Sequence, residues 1–146
     1  AMAAWFAELK PGATGGALHE AIHSRLPWEQ FHVFLNAGHL IGLDEWVSSP
    51  VWEGSGVQLR SGMVMQADVI PSNPAYYSTR MEDGYLLWSE ASELDRGLVE
   101  RAGMRREFMR SKLGLPVNEQ VYPLGNIPGI VAPMALAPWR TLTLAG

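Results

Sequence analysis

The sequence predicts an α+β fold, a single domain over residues 1–146, in which helices and strands are mixed along the chain. Apolar residues recur at helical spacing in the first thirty residues, whereas the short apolar runs typical of strands are scattered and mostly not adjacent. The composition is globular, with 47% hydrophobic and 18% charged residues, and 146 residues suffice for one core. A mixed α/β layer architecture is the alternative that this pattern allows.

The first two helices are predicted from the residues at their ends. Residues 2–10 are typical of the end of a helix, which Pro11-Gly12 stops. A second helix is predicted over residues 14–26, with Thr14 as its N-cap and Pro27 as its stop. Its apolar stripe, at helical spacing, consists of Leu18, Ala21, Ile22 and Leu26.

The remaining elements follow from apolar runs and breaker residues. The runs predicted to be strands are 31–35, 62–70, 85–88, 121–124 and 141–144. Residues 48–62 are rich in Ser, Gly and Pro and predict a loop, and residues 71–77 predict a turn-rich connection. Charged helices are predicted over residues 90–113, with a break near Gly103 and an end at Gly114.

Charge and composition exclude several classes of function. The net charge of −4 argues against a nucleic-acid partner, because phosphate binding needs a clustered basic surface. The absence of cysteine excludes disulfides, thiolate nucleophiles and cysteine-based zinc sites. No apolar run approaches the length of a membrane span, and residues 1–9 lack the basic start of a signal peptide. A cytoplasmic protein without a membrane partner is therefore expected.

The stretch His19-Glu20-Ala21-Ile22-His23 matches the HExxH pattern of zinc peptidases. Two histidines one helical turn apart can bind one Zn²⁺ while the glutamate polarises the metal-bound water, and a third ligand comes from farther along the chain. No clear third ligand follows Pro27 at a characteristic spacing. A pair of histidines on a helix surface is the favoured interpretation, and a zinc peptidase built on this motif is the lesser alternative.

Three other residues suggest a metal centre. His39 lies in a glycine-punctuated apolar segment, Asp68 lies within the apolar strand predicted over 62–70, and Glu82 precedes the apolar run 85–88. A carboxylate inside a buried strand is costly unless it is paired, protonated or bound to a metal. One imidazole and two carboxylates suit Mn²⁺, Co²⁺, Fe²⁺ or Zn²⁺. The alternatives are a packed histidine, and carboxylates paired with Arg80 or bonded to backbone amides.

Several motifs follow one another in an order that resembles a known family. They are Lys10-Pro11-Gly12-Ala13-Thr14, then Gly38-His39-Leu40-Ile41-Gly42-Leu43, Pro50, the LRSGMVMQAD segment over 59–68, and Arg80-Met81-Glu82-Asp83. Over roughly residues 8–90 this order is similar to that of the pita-bread metallopeptidases, which include methionine aminopeptidase, aminopeptidase P, prolidase and the non-peptidase creatinase. The resemblance implies a curved, mainly antiparallel sheet with helices on its convex face.

The family holds two divalent metal ions with two aspartates, one histidine and two glutamates. The resemblance implies that His39 is the histidine ligand, that Glu82 is the last glutamate, and that Asp68 replaces the first glutamate with a shorter side chain. Asp68 and Glu82 would also shuttle protons during hydrolysis of a peptide or a small amide. The two aspartates precede the Pro-Gly turn in the family, so the chain is expected to be the C-terminal half of such a domain and inactive alone.

Two departures from the family pattern leave a second function open. Leu35 and Trp46 stand where family peptidases commonly have histidines that hold the substrate. A non-peptidase reaction, a pseudoenzyme or a module that binds peptides or proteins fits these losses. His32 and Arg80 are the expected substrate-binding residues. An uncovered half sheet is expected to self-associate, so a homo-oligomer is predicted.

Overall fold

The structure, a computed structural model, describes residues 1–35, 37–42, 47, 49–75 and 77–125. The helices are α1 (Met2–Glu8), α2 (Gly15–His23), α3 (Trp28–Phe31) and α4 (Arg96–Leu113), with a 3-10 turn at Ala91–Glu93. The strands are β1 (His39–Leu40), β2 (Val64–Val69), β3 (Ser72–Asn73), β4 (Tyr77–Ser78), β5 (Met81–Leu87) and β6 (Val121–Pro123).

The strands form one larger sheet and one small hairpin. The order in the larger sheet is β1-β2-β5-β6, and each neighbouring pair is antiparallel. Strands β3 and β4 pair with each other as a separate two-stranded sheet. Helices combined with a mostly antiparallel sheet confirm the predicted α+β class.

One face of the larger sheet packs against the helices. Alternate residues of β2 and β5 point to this face because side chains alternate along a strand. The core combines them with residues of α1 and α2; its members include Trp5, Phe6, Leu9, Leu18, Ile22, Met65, Ala67, Val69, Tyr85 and Leu87. The rings of Trp5, Phe6 and Tyr85 form its centre, with Phe6 and Tyr85 edge to face at 5.2 Å between centroids.

Helix α2 begins where the sequence predicts, and a loop fixes its start. The Thr14 hydroxyl accepts a hydrogen bond from the amide of Ala17 at 3.3 Å, as an N-cap does. The amide of Gly15 donates to the Val57 carbonyl at 2.9 Å, and the amide of Gly16 donates to the Ser55 carbonyl at 3.0 Å. A β-carbon on Gly15 would overlap the Pro50 carbonyl, so this close approach requires glycine.

Two arginines tie helix α4 to β6 and to the residues just before this strand. The guanidinium of Arg106 is buried and donates to the carbonyls of Glu119 and Val121 at 2.6 and 2.8 Å. Arg110 donates to the carboxylate of Glu119, and this hydrogen bond lowers the pKa of Glu119. None of the helices in the described ranges combines the length and the apolar character that a membrane crossing requires.

Two secondary-structure predictions are wrong. The segment 31–35 is not a buried strand, because Pro27 starts the short helix α3 and His32 ends it in a left-handed conformation with φ of 38°. Only Phe34 forms a bridge, to Ile70. Helix α4 continues through Gly103 without a break, since the rest of the helix outweighs the cost of one glycine. The predicted strand at 141–144 lies outside the described residues.

Candidate metal-binding face

The second face of the larger sheet carries the polar side chains that the sequence singled out. Asp68 of β2 lies directly opposite Glu82 of β5, and His39 of β1 lies directly opposite Gln66 of β2. Directly paired residues project from the same side of a sheet, and so do residues two apart on one strand. His39, Gln66, Asp68 and Glu82 therefore share this face, which we call the site face.

His39 is the most deeply buried member, with 1% of its surface exposed. Its Nδ1 atom lies 2.8 Å from the Leu40 carbonyl, which only accepts, so Nδ1 carries the proton in that hydrogen bond. In the neutral ring the other nitrogen, Nε2, then holds a lone pair. This Nε2 lies 3.7 Å from Oδ2 of Asp68, which is 6% exposed. Either a proton on Nε2 or a bound cation would make the contact between these two atoms favourable.

Glu82 is held in place by a neighbour on the same face. Its Oε1 accepts a hydrogen bond of 2.6 Å from Nε2 of Gln66. Because Glu82 and Asp68 are directly opposite, their β-carbons lie about 5 Å apart, and like charges in such a pair are destabilising. A positive charge on this face would remove that repulsion.

Side chains from two other segments pin the backbone that presents His39. The indole nitrogen of Trp5 donates to the Ala37 carbonyl at 2.7 Å, and the hydroxyl of Ser49 donates to the Gly38 carbonyl at 2.8 Å. Gly38 has φ of 116°, and a β-carbon there would lie 2.9 Å from the Gln66 carbonyl and 3.0 Å from the Trp5 ring. The glycine before His39 therefore allows β1, β2 and α1 to meet closely.

The imidazole nitrogen and the carboxylate oxygens of the site face are the types of ligand that divalent metal ions take. With metal–ligand bonds of about 2.1 Å at a tetrahedral angle, the nitrogen and oxygen donors lie about 3.4 Å apart, close to the 3.7 Å between His39 and Asp68. Within the ranges that the structure describes, no three His, Asp or Glu side chains converge closely enough to hold a metal. His39 and Asp68 thus face each other as two candidate donors. Glu82, which is hydrogen-bonded to Gln66, is the third candidate donor on the site face.

The two expected substrate-binding residues, Arg80 and His32, lie next to the ends of β5 and α3. Arg80 is exposed and immediately precedes β5. Among the described residues, the ion pairs do not include Arg80, so the alternative pairing of Arg80 with Glu82 or Asp68 is not formed there. His32 ends α3, with its ring edge to face against Trp28 at 5.3 Å.

Gln66 lies on the site face, and the sequence did not single it out. It lies two residues before Asp68, and the period of two along a strand places both side chains on one face. That signal was present in the sequence. The sequence does not show which strand lies beside Gln66, because its pairing with His39 is set by the register of β1 on β2. Of the two departures from the family pattern, Leu35 is exposed, and Trp46 lies outside the described residues.

The HEAIH histidines lie on α2, whose buried side chains join the core on the opposite side of the sheet from the site face. The rings of His19 and His23 are stacked, with centroids 4.1 Å apart and planes 28° from parallel. No third His, Asp or Glu completes a metal site with them in the described part of the chain. The stacked pair matches the favoured prediction of a helix-surface pair.

The stacked histidines make stability depend on pH. Partial burial, and to a smaller extent the charge of His23, lower the pKa of His19 from 6.5. The charges of Glu53 and Glu20 raise this pKa, but their effects are smaller. The folded chain therefore binds fewer protons than the unfolded chain, and the free energy of unfolding falls as the pH drops through 6.5 towards the folded pKa. Urea denaturation on both sides of pH 6.5 is expected to show this fall, and His19→Gln is expected to reduce it. An unchanged pH dependence in His19→Gln would contradict the assignment.

No protein-family model matches the chain, and no curated protein matches it either.

Proposed function

We propose that this chain is the C-terminal part of a pita-bread metal-dependent hydrolase, of the Xaa-Pro aminopeptidase, prolidase or creatinase type. The observation that carries the proposal is the convergence of His39 and Asp68, with Glu82 opposite Asp68, on the sheet face turned away from the helices. These residues come from three separate motifs, 14 to 43 positions apart in the sequence. The helix layer behind the antiparallel sheet is compatible with this architecture.

The roles of the residues follow from their atoms. Nε2 of His39 is the nitrogen donor, since its Nδ1 proton is engaged by the Leu40 carbonyl. The carboxylates of Asp68 and Glu82 are the oxygen donors, suited to Mn²⁺, Co²⁺, Fe²⁺ or Zn²⁺. A metal bound there supplies Lewis acidity towards a peptide or amide carbonyl and towards water. The carboxylates also accept and return protons during hydrolysis.

The proposal assigns the remaining two ligands, both aspartates, to a segment that is not in this sequence. With three ligands instead of five, the chain alone is expected to bind metal weakly and to hydrolyse amides negligibly. The Gln66–Glu82 hydrogen bond would then set the position of Glu82, as outer partners of metal ligands commonly do.

A binding module without catalysis is the second candidate. It is favoured by the two positions where the family has substrate-holding histidines and this chain has Leu35 and Trp46. The two candidates differ in whether the upstream aspartates are present in the natural protein. Their presence supports the hydrolase, and their absence supports the binding module.

The test is calorimetric titration of metal-stripped protein with Mn²⁺, Co²⁺ and Zn²⁺. Wild-type protein is expected to bind one equivalent, and Glu82→Gln is expected to weaken binding about tenfold or more because a charged ligand is lost. Glu93→Gln is the matched control, since Glu93 is an exposed glutamate in the 3-10 turn, outside the site face. Absence of binding in the wild type, or equal effects of the two substitutions, would contradict a metal centre on this face.

A further inference from the structure

An open groove lies beside the site face, between α3 and the β3–β4 hairpin. Its volume is about 450 Å³, and its lining includes His32, Phe34, Pro74 and Tyr77. We call it the aromatic groove. Phe34 is 53% exposed and Tyr77 is 84% exposed. Two large, exposed aromatic side chains that line one groove are unusual on a protein surface.

The backbone around the aromatic groove is held in unfavourable conformations. Among the described residues, three non-glycine residues have positive φ: His32 at 38°, Leu35 at 59° and Tyr77 at 63°. Two of them line the groove and the third follows Phe34. Left-handed backbone is costly for residues with a β-carbon, and such residues cluster at functional sites more often than elsewhere.

The aromatic groove adjoins the candidate metal ligands on the same face. Phe34 pairs with Ile70 in an antiparallel bridge, and its amide donates to the Ile70 carbonyl at 3.2 Å. Ile70 follows β2 and is two residues beyond Asp68, so Phe34, Ile70 and Asp68 project to one side. Two residues along a strand span about 7 Å. An extended peptide covers that distance in two residues.

The chemistry of the lining indicates what the groove binds. The residues around it carry aromatic rings, a proline ring and hydroxyls, and the lining that the structure describes includes no carboxylate, lysine or arginine. Aromatic edges and faces pack well against another ring, and the hydroxyls suit peptide backbone groups. A charged side chain would lose hydration there without gaining a partner.

We infer that the aromatic groove is a specificity subsite for a peptide substrate. It takes an uncharged, ring-bearing side chain that lies about two residues from the peptide bond held at the metal ligands. The inference rests on the proposed function, because the peptide must reach both places. Phe34 and Tyr77 are the residues that select the side chain, and they act on binding and not on the chemical step.

The experiment uses nuclear magnetic resonance with N-acetyl-phenylalanine amide as the probe and N-acetyl-alanine amide as its control. The phenylalanine probe is expected to shift the backbone amide signals of the lining residues that carry an N–H, which are His32, Phe34, Ser72, Asn73, Tyr77 and Ser78. Phe34→Ala or Tyr77→Ala is expected to weaken binding about tenfold. Phe108→Ala, at a partly exposed phenylalanine on α4, is the matched control and is expected to leave binding unchanged.

A second readout tests the position of the groove relative to the metal. With Mn²⁺ bound, the ring protons of the probe are expected to relax much faster than with Zn²⁺, and this difference should vanish in His39→Ala. Mn²⁺ binding by calorimetry without any probe shift overturns the subsite and leaves the proposed function intact. Probe binding without any metal binding shows instead that the proposed function has failed, and the subsite with it. A dimer that Phe34→Ala converts to a monomer would show that a second copy fills the groove, which also overturns the subsite.

Discussion

Replacing His39 with alanine is expected to abolish binding of Mn²⁺, Co²⁺ and Zn²⁺ by the metal-stripped chain. In the proposed metal centre His39 is the nitrogen donor, and its Nε2 is the atom that faces Asp68 at 3.7 Å. Its removal leaves two carboxylates, which for these metals make a much weaker site than a mixed set. We expect a loss of affinity of about a hundredfold or more, measured by calorimetry.

The control for this substitution is the second histidine-containing motif. His23→Ala removes one ring of the stacked pair on α2 and leaves His39 untouched. It is expected to bind metal as the wild type does. If His23→Ala loses binding and His39→Ala retains it, the HEAIH motif is the metal site and the pita-bread assignment is wrong.

Replacing Trp5 with alanine is expected to lower the free energy of unfolding by about 3–5 kcal/mol, as for other buried large aromatic residues. Trp5 is fully buried and packs edge to face against Phe6 at 5.2 Å. Trp5→Phe keeps much of the ring and removes the donor to the Ala37 carbonyl. This milder change is expected to cost about 1–3 kcal/mol, the cost of an unsatisfied buried polar group. Urea denaturation measures both values.

The Trp5 variants also distinguish a general loss of packing from a specific effect on His39. Because Trp5 holds the backbone one residue before Gly38, Trp5→Phe is expected to weaken metal binding while the protein remains folded. Trp52→Ala is the matched control, since Trp52 is 48% exposed and its removal is expected to change stability by less than about 0.5 kcal/mol. Equal destabilisation by Trp5→Ala and Trp52→Ala would contradict the central position of Trp5 in the core.

Local signals predicted most of the fold. Thr14 marks the start of α2, Pro11-Gly12 follows α1, and Gly114 ends α4 in a left-handed conformation with φ of 66°. The error at 31–35 has a physical reason. The apolar letters FHVFL suit a strand by propensity, but Phe34 and Leu35 are exposed and the left-handed His32 and Leu35 interrupt the extended backbone.

The site was only partly predictable. Asp68 and Glu82 belong to separate sequence motifs, and their register as direct partners across β2 and β5 is compatible with a shared site. The roles of Gln66, Trp5 and Ser49 depend on contacts between segments distant in the sequence, such as the hydrogen bond from Trp5 to Ala37. Periodicity within one segment does not determine which segments meet, so these roles could not be derived from it.

The contact between α2 and the loop over residues 49–62 limits where the chain can change in length. Amides and carbonyls of residues 12–16 and 55–59 are hydrogen-bonded to each other, and Gly15 leaves no room at Pro50. An added residue near Val57 would shift all of these bonds at once. Surface loops commonly tolerate insertions, but this loop is a poor place to insert a tag or a second domain. Replacing its sequence with a flexible linker would remove the hydrogen bonds that hold the start of α2.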